Sequence, residues 1–300
     1  MTVLAPDLVS DALVALGDDP TLTVLAGGTD LMVELNYGRR RPGDVLSLRR
    51  LDELRGWRIE PGTDDRPDEV VLGAATTFTT LVEPELSALL PALAQAARTV
   101  GSPQIRNTGT IGGNLGTGSP AGDTLPVLVA HGASVELASA GRRRSVPVAE
   151  FLVAPKRTTL QPGELIVAVR VPVVPGPGEF LKVGVRNAMV IAVANCALVL
   201  DPARRTVRCA LGSVGPVPVR DAAAEEWVGE RLDWDGGGPL DPALAAEFGQ
   251  RMATTCRPID DHRSPAAYRR HAVGVMARRA LTRAWQAGTG APAGRPVEAA

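Results

Sequence analysis

The spacing of apolar residues changes along this chain, and each change marks an element. Leu8, Ala12, Leu13 and Leu16 recur at helical spacing, so residues 7–16 read as a short amphipathic helix. Residues 21–25 form an apolar, β-branched run that enters the turn Gly27-Gly28. Residues 30–37 follow as a helix with Thr29 or Asp30 as candidate N-cap, and 45–48 reads as a strand. Residues 57–75 predict a hairpin around the Pro/Gly/Asp loop of 61–67. A helix over 86–100, a second glycine-rich stretch and a short apolar helix over 122–130 come next. Short strands near 134–138 and 143–146 precede a longer one over 165–171. Three prolines and two glycines within 172–178 make a stiff, non-helical connection and the predicted domain boundary. Beyond it, strand-like runs at 180–185, 191–200 and 207–214 lead to helices near 221–228, 241–255 and 265–287. Strands followed by helices predict an α+β class, and no repeat is visible.

Composition narrows the function. With 300 residues the chain is long enough for two domains of ~100–150 residues each. A net charge of −1 argues against a nucleic-acid binder working through bulk electrostatics. Aromatic residues are 3% of the chain, so a ring-stacking site must use few side chains. Lysine occurs only as Lys156 and Lys182, a skew that reads as compositional bias. The first residues carry Asp7 and Asp11 and no basic stretch, unlike a signal peptide. The longest apolar run, 189–200, is interrupted by Asn195 and too short to cross a bilayer. Cys196, Cys209 and Cys256 are scattered and form no CxxC pair, which suits a reducing cytosol and excludes a cluster or structural zinc. A soluble, cytoplasmic protein is expected.

The candidate chemistry lies in two glycine-rich stretches, Ala26-Gly27-Gly28-Thr29-Asp30 and Thr110-Ile111-Gly112-Gly113-Asn114. Glycine permits positive φ and close approach of the main chain to a ligand. Successive amides in such a turn form a concave nest for phosphate oxygens, and two nests suggest a dinucleotide. Strand, glycine turn and helix start in that order also aim amide dipoles at an anion. The first stretch lacks the Lys of a Walker loop and the spacing of a Rossmann fingerprint, so a plain strand-to-helix turn capped by Asp30 stands as an equal alternative. The second lies in a long, small and polar segment, 102–123, without regular periodicity. Such a loop is either functional or an Ω-loop packed on itself. Asn114 can both donate and accept there, and Asp123 can accept from sugar hydroxyls.

Residues 26–32 (AGGTDLM), 101–114 (GSPQIRNTGTIGGN) and 119–123 (SPAGD) together resemble the FAD-binding medium subunit of the molybdenum hydroxylases, which include xanthine and carbon monoxide dehydrogenases. Gly163-Glu164-Leu165-Ile166, Phe180-Leu181-Lys182-Val183, residues 215–220 and residues 264–271 extend the resemblance over nearly the whole chain. It implies a two-lobed PCMH-type FAD-binding domain at 1–175, with lobes about 1–56 and 57–175. A smaller α+β domain like the carbon monoxide dehydrogenase flavoprotein C-terminal domain follows at 176–287, then a disordered tail at 288–300. It further implies that Leu25, Ala26, Gly27, Gly28, Thr29, Asp30, Leu31 and Met32 wrap the FAD pyrophosphate. Thr110, Ile111, Gly112, Gly113 and Asn114 would clamp the second phosphate and ribityl chain, and Asp123 would hold the adenosine ribose. Ile166 and Lys182 match positions near the flavin and its adenine end, although Lys182 also reads as a solvated strand-end charge. Val100 stands where xanthine dehydrogenase places an aromatic ring beside the flavin, and Val190 where the family often carries an aspartate.

The implied partners are a molybdopterin-binding large subunit and a [2Fe–2S] small subunit, with electrons leaving FAD for NAD, oxygen or a quinone. No catalytic acid or base and no metal ligand is assigned to this chain. Two other readings stay open: a stand-alone FAD oxidoreductase with its own small substrate, and a non-catalytic nucleotide-binding regulator. His262 and His271, near Asp260 and Asp261, read as polar residues at a helix start rather than a metal site. Arg269, Arg270, Arg278, Arg279 and Arg283 read as the solvated or partner-facing side of an amphipathic helix whose stripe is Tyr268, Ala272, Val275, Met276 and Leu281. Arg142-Arg143-Arg144 reads as a charged hairpin turn or a subunit contact.

Overall fold

The computed structural model describes residues 2–39, 41, 43–63 and 66–289. The tail expected at 288–300 lies outside the described residues from 290 onward, and Gly288 and Thr289 continue the last helix. The chain starts with β1 (Val3–Leu4), α1 (Val9–Asp18), β2 (Thr23–Leu25), α2 (Leu31–Asn36) and β3 (Val45–Ser47). The three strands are parallel, with β3 in the middle. Helix α1 buries Val9, Ala12, Leu13 and Leu16 against Leu46, Leu48, Leu51 and Leu54, whereas Leu8, part of the stripe expected from the sequence, precedes the helix and is exposed.

The next region holds β4 (Trp57–Glu60), β5 (Glu69–Gly73), α3 (Pro84–Leu89), α4 (Pro91–Arg98), α5 (Pro103–Thr108), α6 (Ile111–Thr117) and α7 (Thr124–His131). It continues with β6 (Ser134–Ser139), β7 (Arg142–Pro147), α8 (Val148–Phe151), β8 (Leu152–Ala154), β9 (Arg157–Thr158) and β10 (Leu165–Pro172). An antiparallel sheet runs β4-β5-β10-β6-β7. The predicted hairpin sets Trp57 opposite Leu72 and Glu60 opposite Glu69. Val70, Leu72, Val135, Leu137, Val169 and Val171 share a core with residues of α4 and α7.

Three expectations change here. The helix of 86–100 is two helices, because Pro91 has no amide to donate and opens a new one. Part of the irregular segment 102–123 is helical: Ser102 caps α5 through the Ile105 amide (3.4 Å), and Thr110 caps α6 through the Gly113 amide (3.0 Å). Those caps offset the poor helix propensity of the glycines. Arg142, Arg143 and Arg144 lie in β7, and the turn is made by Ala140 and Gly141, at φ +77°. Arg144 reaches back to both carboxylate oxygens of Glu164, each at 2.7 Å.

The last region comprises β11 (Gly178–Val183), β12 (Ala194–Asp201), β13 (Thr206–Gly212), β14 (Val219–Arg220), α9 (Ala222–Gly229), α10 (Pro242–Thr254) and α11 (Ala266–Thr289). Its strands form an antiparallel sheet in sequence order. Every residue of β12 is buried, since α4 and α7 cover one face and α11 the other. Ala197 and Val199 enter the core beneath α7, whereas Cys196, Leu198 and Leu200 enter that of α10 and α11. Burial on both faces is why the strand reads as a continuous apolar run. Two of the cysteines scattered in the sequence meet there: the Sγ atoms of Cys196 and Cys209 lie 3.6 Å apart in that core.

Helix α11 departs from the predicted stripe at its first turn. Tyr268 is half exposed, and Arg269 is 1% exposed. The Arg269 guanidinium lies against the chain entering β12 and leaving β13, donating to the carbonyls of Val193 (2.7 Å) and Ser213 (3.0 Å) and to Asp261 Oδ1 (2.5 Å). Among the described residues, no helix is long and apolar enough to cross a membrane.

Candidate functional site

The turn after β2 packs against the end of α5, distant in sequence, and the start of α6 packs against the residue that follows β5. A Cβ built on Gly27 would stand 1.9 Å from the Thr108 carbonyl oxygen, and one on Gly112 would stand 2.6 Å from that of Ala74. Gly28 has φ +72°, a conformation that glycine adopts without strain. Main chain therefore meets main chain, and a cavity of about 690 Å³ opens beside it. That volume suits a ligand of cofactor size, within the usual range of ~300–1,000 Å³.

The cavity wall includes residues 25–31, Val100, Thr110, Gly112, Gly113, Asn114, Asp123 and Ile166. Three of the expected residues stand off it. Ile111 is fully buried in the core behind the wall, and Met32 is 47% exposed. Lys182 stands behind Asp123, its Nζ 2.5 Å from Asp123 Oδ2. Lys182 is thus a buried, paired charge rather than a solvated strand end.

The donor set fits a diphosphate. Gly27 and Thr29 line the cavity, and their amides have no acceptor among the described residues. The Gly28 and Asp30 carbonyls accept from the amides of Met32 and Glu34, which keeps the turn rigid. The second stretch is different. The amides of Ile111 and Gly112 bond to the carbonyls of Thr76 and Ala74, and those of Gly113 and Asn114 to Thr110. It presents glycine Cα faces and the Asn114 side chain, whose Oδ1 accepts from the Thr124 hydroxyl at 2.6 Å.

Asp123 precedes α7 in the N-cap position but makes no cap bond. Its carboxylate turns to Lys182, to Asn195 Nδ2 (3.1 Å) and to the Thr99 hydroxyl (3.2 Å). Burial pushes its carboxyl above the usual carboxylate range, against the opposing pull of Lys182, Asn195 and Thr99. Val100 supplies an aliphatic wall where the resemblance implies an aromatic one, and Arg106 fixes it by donating to the carbonyls of Val100 (3.1 Å) and Gly101 (3.0 Å). Val190 and Ile191 close the same region, with Ile191 62% exposed.

At the far end of the wall, Lys156 Nζ lies 2.7 Å from Glu34, and the Thr117 hydroxyl 3.2 Å from Asp30. Both contacts join the β2–α2 segment to the region of the five-stranded sheet. Lys156 is the one basic side chain among the described lining residues, which also include Asp30, Glu34, Asp123 and Glu164. Sequence reasoning missed it, because its partner is 122 residues away and nothing local marks it. The paired aspartates before α11 do other work: Asp260 accepts from the Ala266 amide (2.6 Å), and Asp261 binds Arg263 and Arg269.

Comparison with known proteins places these features in context. The family model for the FAD binding domain in molybdopterin dehydrogenase matches residues 1–174, and that for the CO dehydrogenase flavoprotein C-terminal domain matches 179–284. The xanthine dehydrogenase FAD-binding subunit of Escherichia coli O157:H7 is 30% identical over 291 residues, 94% of this chain and 95% of that one. The carbon monoxide dehydrogenase medium chain of Hydrogenophaga pseudoflava is 33% identical over 291 residues, 94% and 96% of the two chains. The solved structure of carbon monoxide dehydrogenase from H. pseudoflava lacking the Mo-pyranopterin moiety superposes with a TM-score of 0.83 at 32% identity, covering 95% of this chain and 97% of that one. Quinoline 2-oxidoreductase from Pseudomonas putida 86 shares the fold, with a TM-score of 0.85 at 23% identity over 96% and 98%.

Proposed function

Because the chain belongs to the family of FAD-binding subunits of the molybdopterin dehydrogenases, we propose that it is the flavoprotein subunit of a molybdenum hydroxylase complex. The observation that carries this reading is the turn after β2, whose amides, those of Gly27 and Thr29 among them, have no acceptor among the described residues, set in a cavity large enough for a dinucleotide. Gly27, Gly28, Thr29 and Asp30 hold the FAD diphosphate through main chain. The α6 start and Asn114 contribute the facing wall. Asp123, neutralised by Lys182, accepts from a hydroxyl of the cofactor, and Ile166, Val100 and Val190 provide apolar cover. FAD accepts and releases electrons singly or in pairs, which links one-electron clusters to a two-electron acceptor.

This chain's residues contribute binding, orientation and exclusion of water, and none is assigned the role of acid or base. Its three cysteines are buried in the C-terminal sheet region and cannot ligate a cluster at a surface. The [2Fe–2S] centres in this reading belong to a small partner subunit and the molybdopterin to a large one. The acceptor is NAD, oxygen or a quinone. The FAD domain spans about 1–175 and the C-terminal domain 176–287, and the complex works in the cytoplasm.

Purification with the neighbouring subunits tests the reading. The complex is expected to carry flavin, iron and molybdenum together, and Gly28→Leu or Gly113→Leu to strip the flavin from a folded chain. A Gly113→Leu chain that kept its full yellow absorbance would refute this use of the cavity.

A further inference from the structure

Strand β12 is buried from end to end, yet its second residue is the polar Asn195, with no exposed surface. Strand alternation puts Asn195 on the same side as Ala197 and Val199, facing α7 rather than α11. There its Nδ2 donates to Asp123 Oδ1 at 3.1 Å, a bond from the C-terminal sheet into the cavity wall. Its Oδ1 is buried and has no partner among the described residues. An amide left half satisfied in a core carries a free-energy penalty that an aliphatic residue would avoid. Across the ladder Asn195 pairs with Gly212, and a Cβ there would stand 2.1 Å from Asn195 Oδ1. The sheet thus combines two features that weaken it, a buried amide and a bare glycine, and together they deliver one donor to Asp123.

We propose that Asn195 is a positioning residue of the cofactor site: its amide, admitted by Gly212, crosses from the C-terminal sheet and fixes the Asp123 carboxylate between Lys182 and the cavity. The proposal rests on the reading of the cavity as an FAD site. Asp123 is placed by groups from three directions. Lys182 of β11 is the charged one; Thr99, after α4, and Asn195 of β12 are neutral donors. Loss of the Asn195 amide removes a donor to the ionised carboxylate and leaves burial less opposed, so Asp123 protonates at higher pH. A protonated, freely turning Asp123 no longer presents the acceptor that the cofactor hydroxyl needs.

The test compares the full wild-type chain with Asn195→Ala, Gly212→Ala and the double variant. One readout needs no cofactor: the Asp123 carboxyl is titrated by ¹³C NMR in the flavin-free chain. The other is the FAD dissociation constant from flavin fluorescence as a function of pH. In Asn195→Ala the Asp123 midpoint is expected to rise by about one pH unit, FAD to bind about tenfold more weakly at neutral pH, and acid-side release to begin about one unit higher. Gly212→Ala is expected to reproduce the shift by displacing the amide, and the double variant to match Asn195→Ala alone. An unmoved midpoint in Asn195→Ala, or additive effects in the double variant, overturns the proposal. If Asn195→Ala does not fold, a folded Gly212→Ala with an unmoved midpoint overturns it as well. A wild-type chain that binds no FAD while Asp123 shifts as expected refutes the cofactor reading and leaves the positioning role standing.

Discussion

Gly27 and Thr108 are in contact through main chain alone: the Thr108 carbonyl oxygen occupies the space where a Gly27 side chain would begin, 1.9 Å from an ideal Cβ. Gly27→Ala must push the β2–α2 turn away from the end of α5. The expected cost is about 1–3 kcal/mol of overpacking strain, with loss of FAD binding, since the same displacement moves the Gly27 and Thr29 amides. Urea unfolding and flavin titration of the variant check both parts.

Thr110 is the N-cap of α6, its hydroxyl accepting from the Gly113 amide at 3.0 Å. Thr110→Val keeps the shape and removes the acceptor. Stability is expected to fall by about 1 kcal/mol. Thermal melts of the flavin-free chain measure it. Thr110→Ser should recover most of the loss.

The sequence made the two glycine segments legible as a pair, but by composition and resemblance, not by their geometry. Gly28 at φ +72° matches what a glycine turn announces. The helices α5 and α6 were hidden because glycine and asparagine lower helix propensity, and only the caps at Ser102 and Thr110 reveal them. Asp123 and Lys182 could each be singled out, but not their ion pair, because 59 residues separate them. Asn195 was visible only as an interruption in an apolar run. Arg269 was misplaced because periodicity assigns a face to a side chain and cannot know which carbonyls the first turn of α11 will meet.

His131 is buried at the end of α7, with Nδ1 3.1 Å from the Pro172 carbonyl oxygen and Nε2 without a partner among the described residues. Burial lowers its pKa to about 4 from 6.5, outweighing the hydrogen bond to Pro172. Below 6.5 the unfolded chain takes up a proton that the folded chain refuses. The stability present above 6.5 is therefore lost progressively as pH falls toward about 4, by about 3 kcal/mol in total. His131→Leu is expected to lose about 1 kcal/mol at neutral pH with its hydrogen bond and to flatten this acid limb. Denaturant midpoints between pH 4 and pH 7 give the comparison.

Asp261 accepts from Arg263 and from the buried Arg269. Burial tends to raise its carboxyl, but the two guanidinium groups and the Arg263 amide hold it well below the usual carboxylate range. Its contribution to stability is accordingly present above the unfolded carboxylate pKa and lost only in strong acid. Asp261→Asn leaves Arg269 without a countercharge and should destabilise the chain by about 3 kcal/mol at neutral pH. A variant within 1 kcal/mol of wild type, on the scale of an exposed pair, would contradict this account of Arg269.

Cys196, Cys209 and Cys256 are all buried. Burial pushes the Cys256 thiol up to about 12, and the hydrogen bond with Cys196, together with burial, pushes Cys209 up as well. A disulfide reagent is expected to modify none of the three at neutral pH in the native chain and all of them after denaturation. Rapid native labelling of one thiol would mean that the C-terminal core opens locally.

The double covering of β12 bears on how such chains can be recombined. A crossover placed at the proline-rich connection looks neutral in sequence, since it falls between elements. Yet α4 and α7 rest on one side of the strand and α11 on the other, so a transplanted C-terminal half would bring a foreign surface to both. Chimeras between distant relatives should fold only when the helices upstream travel with the graft, which makes the unit of inheritance the entire polypeptide rather than either of its halves.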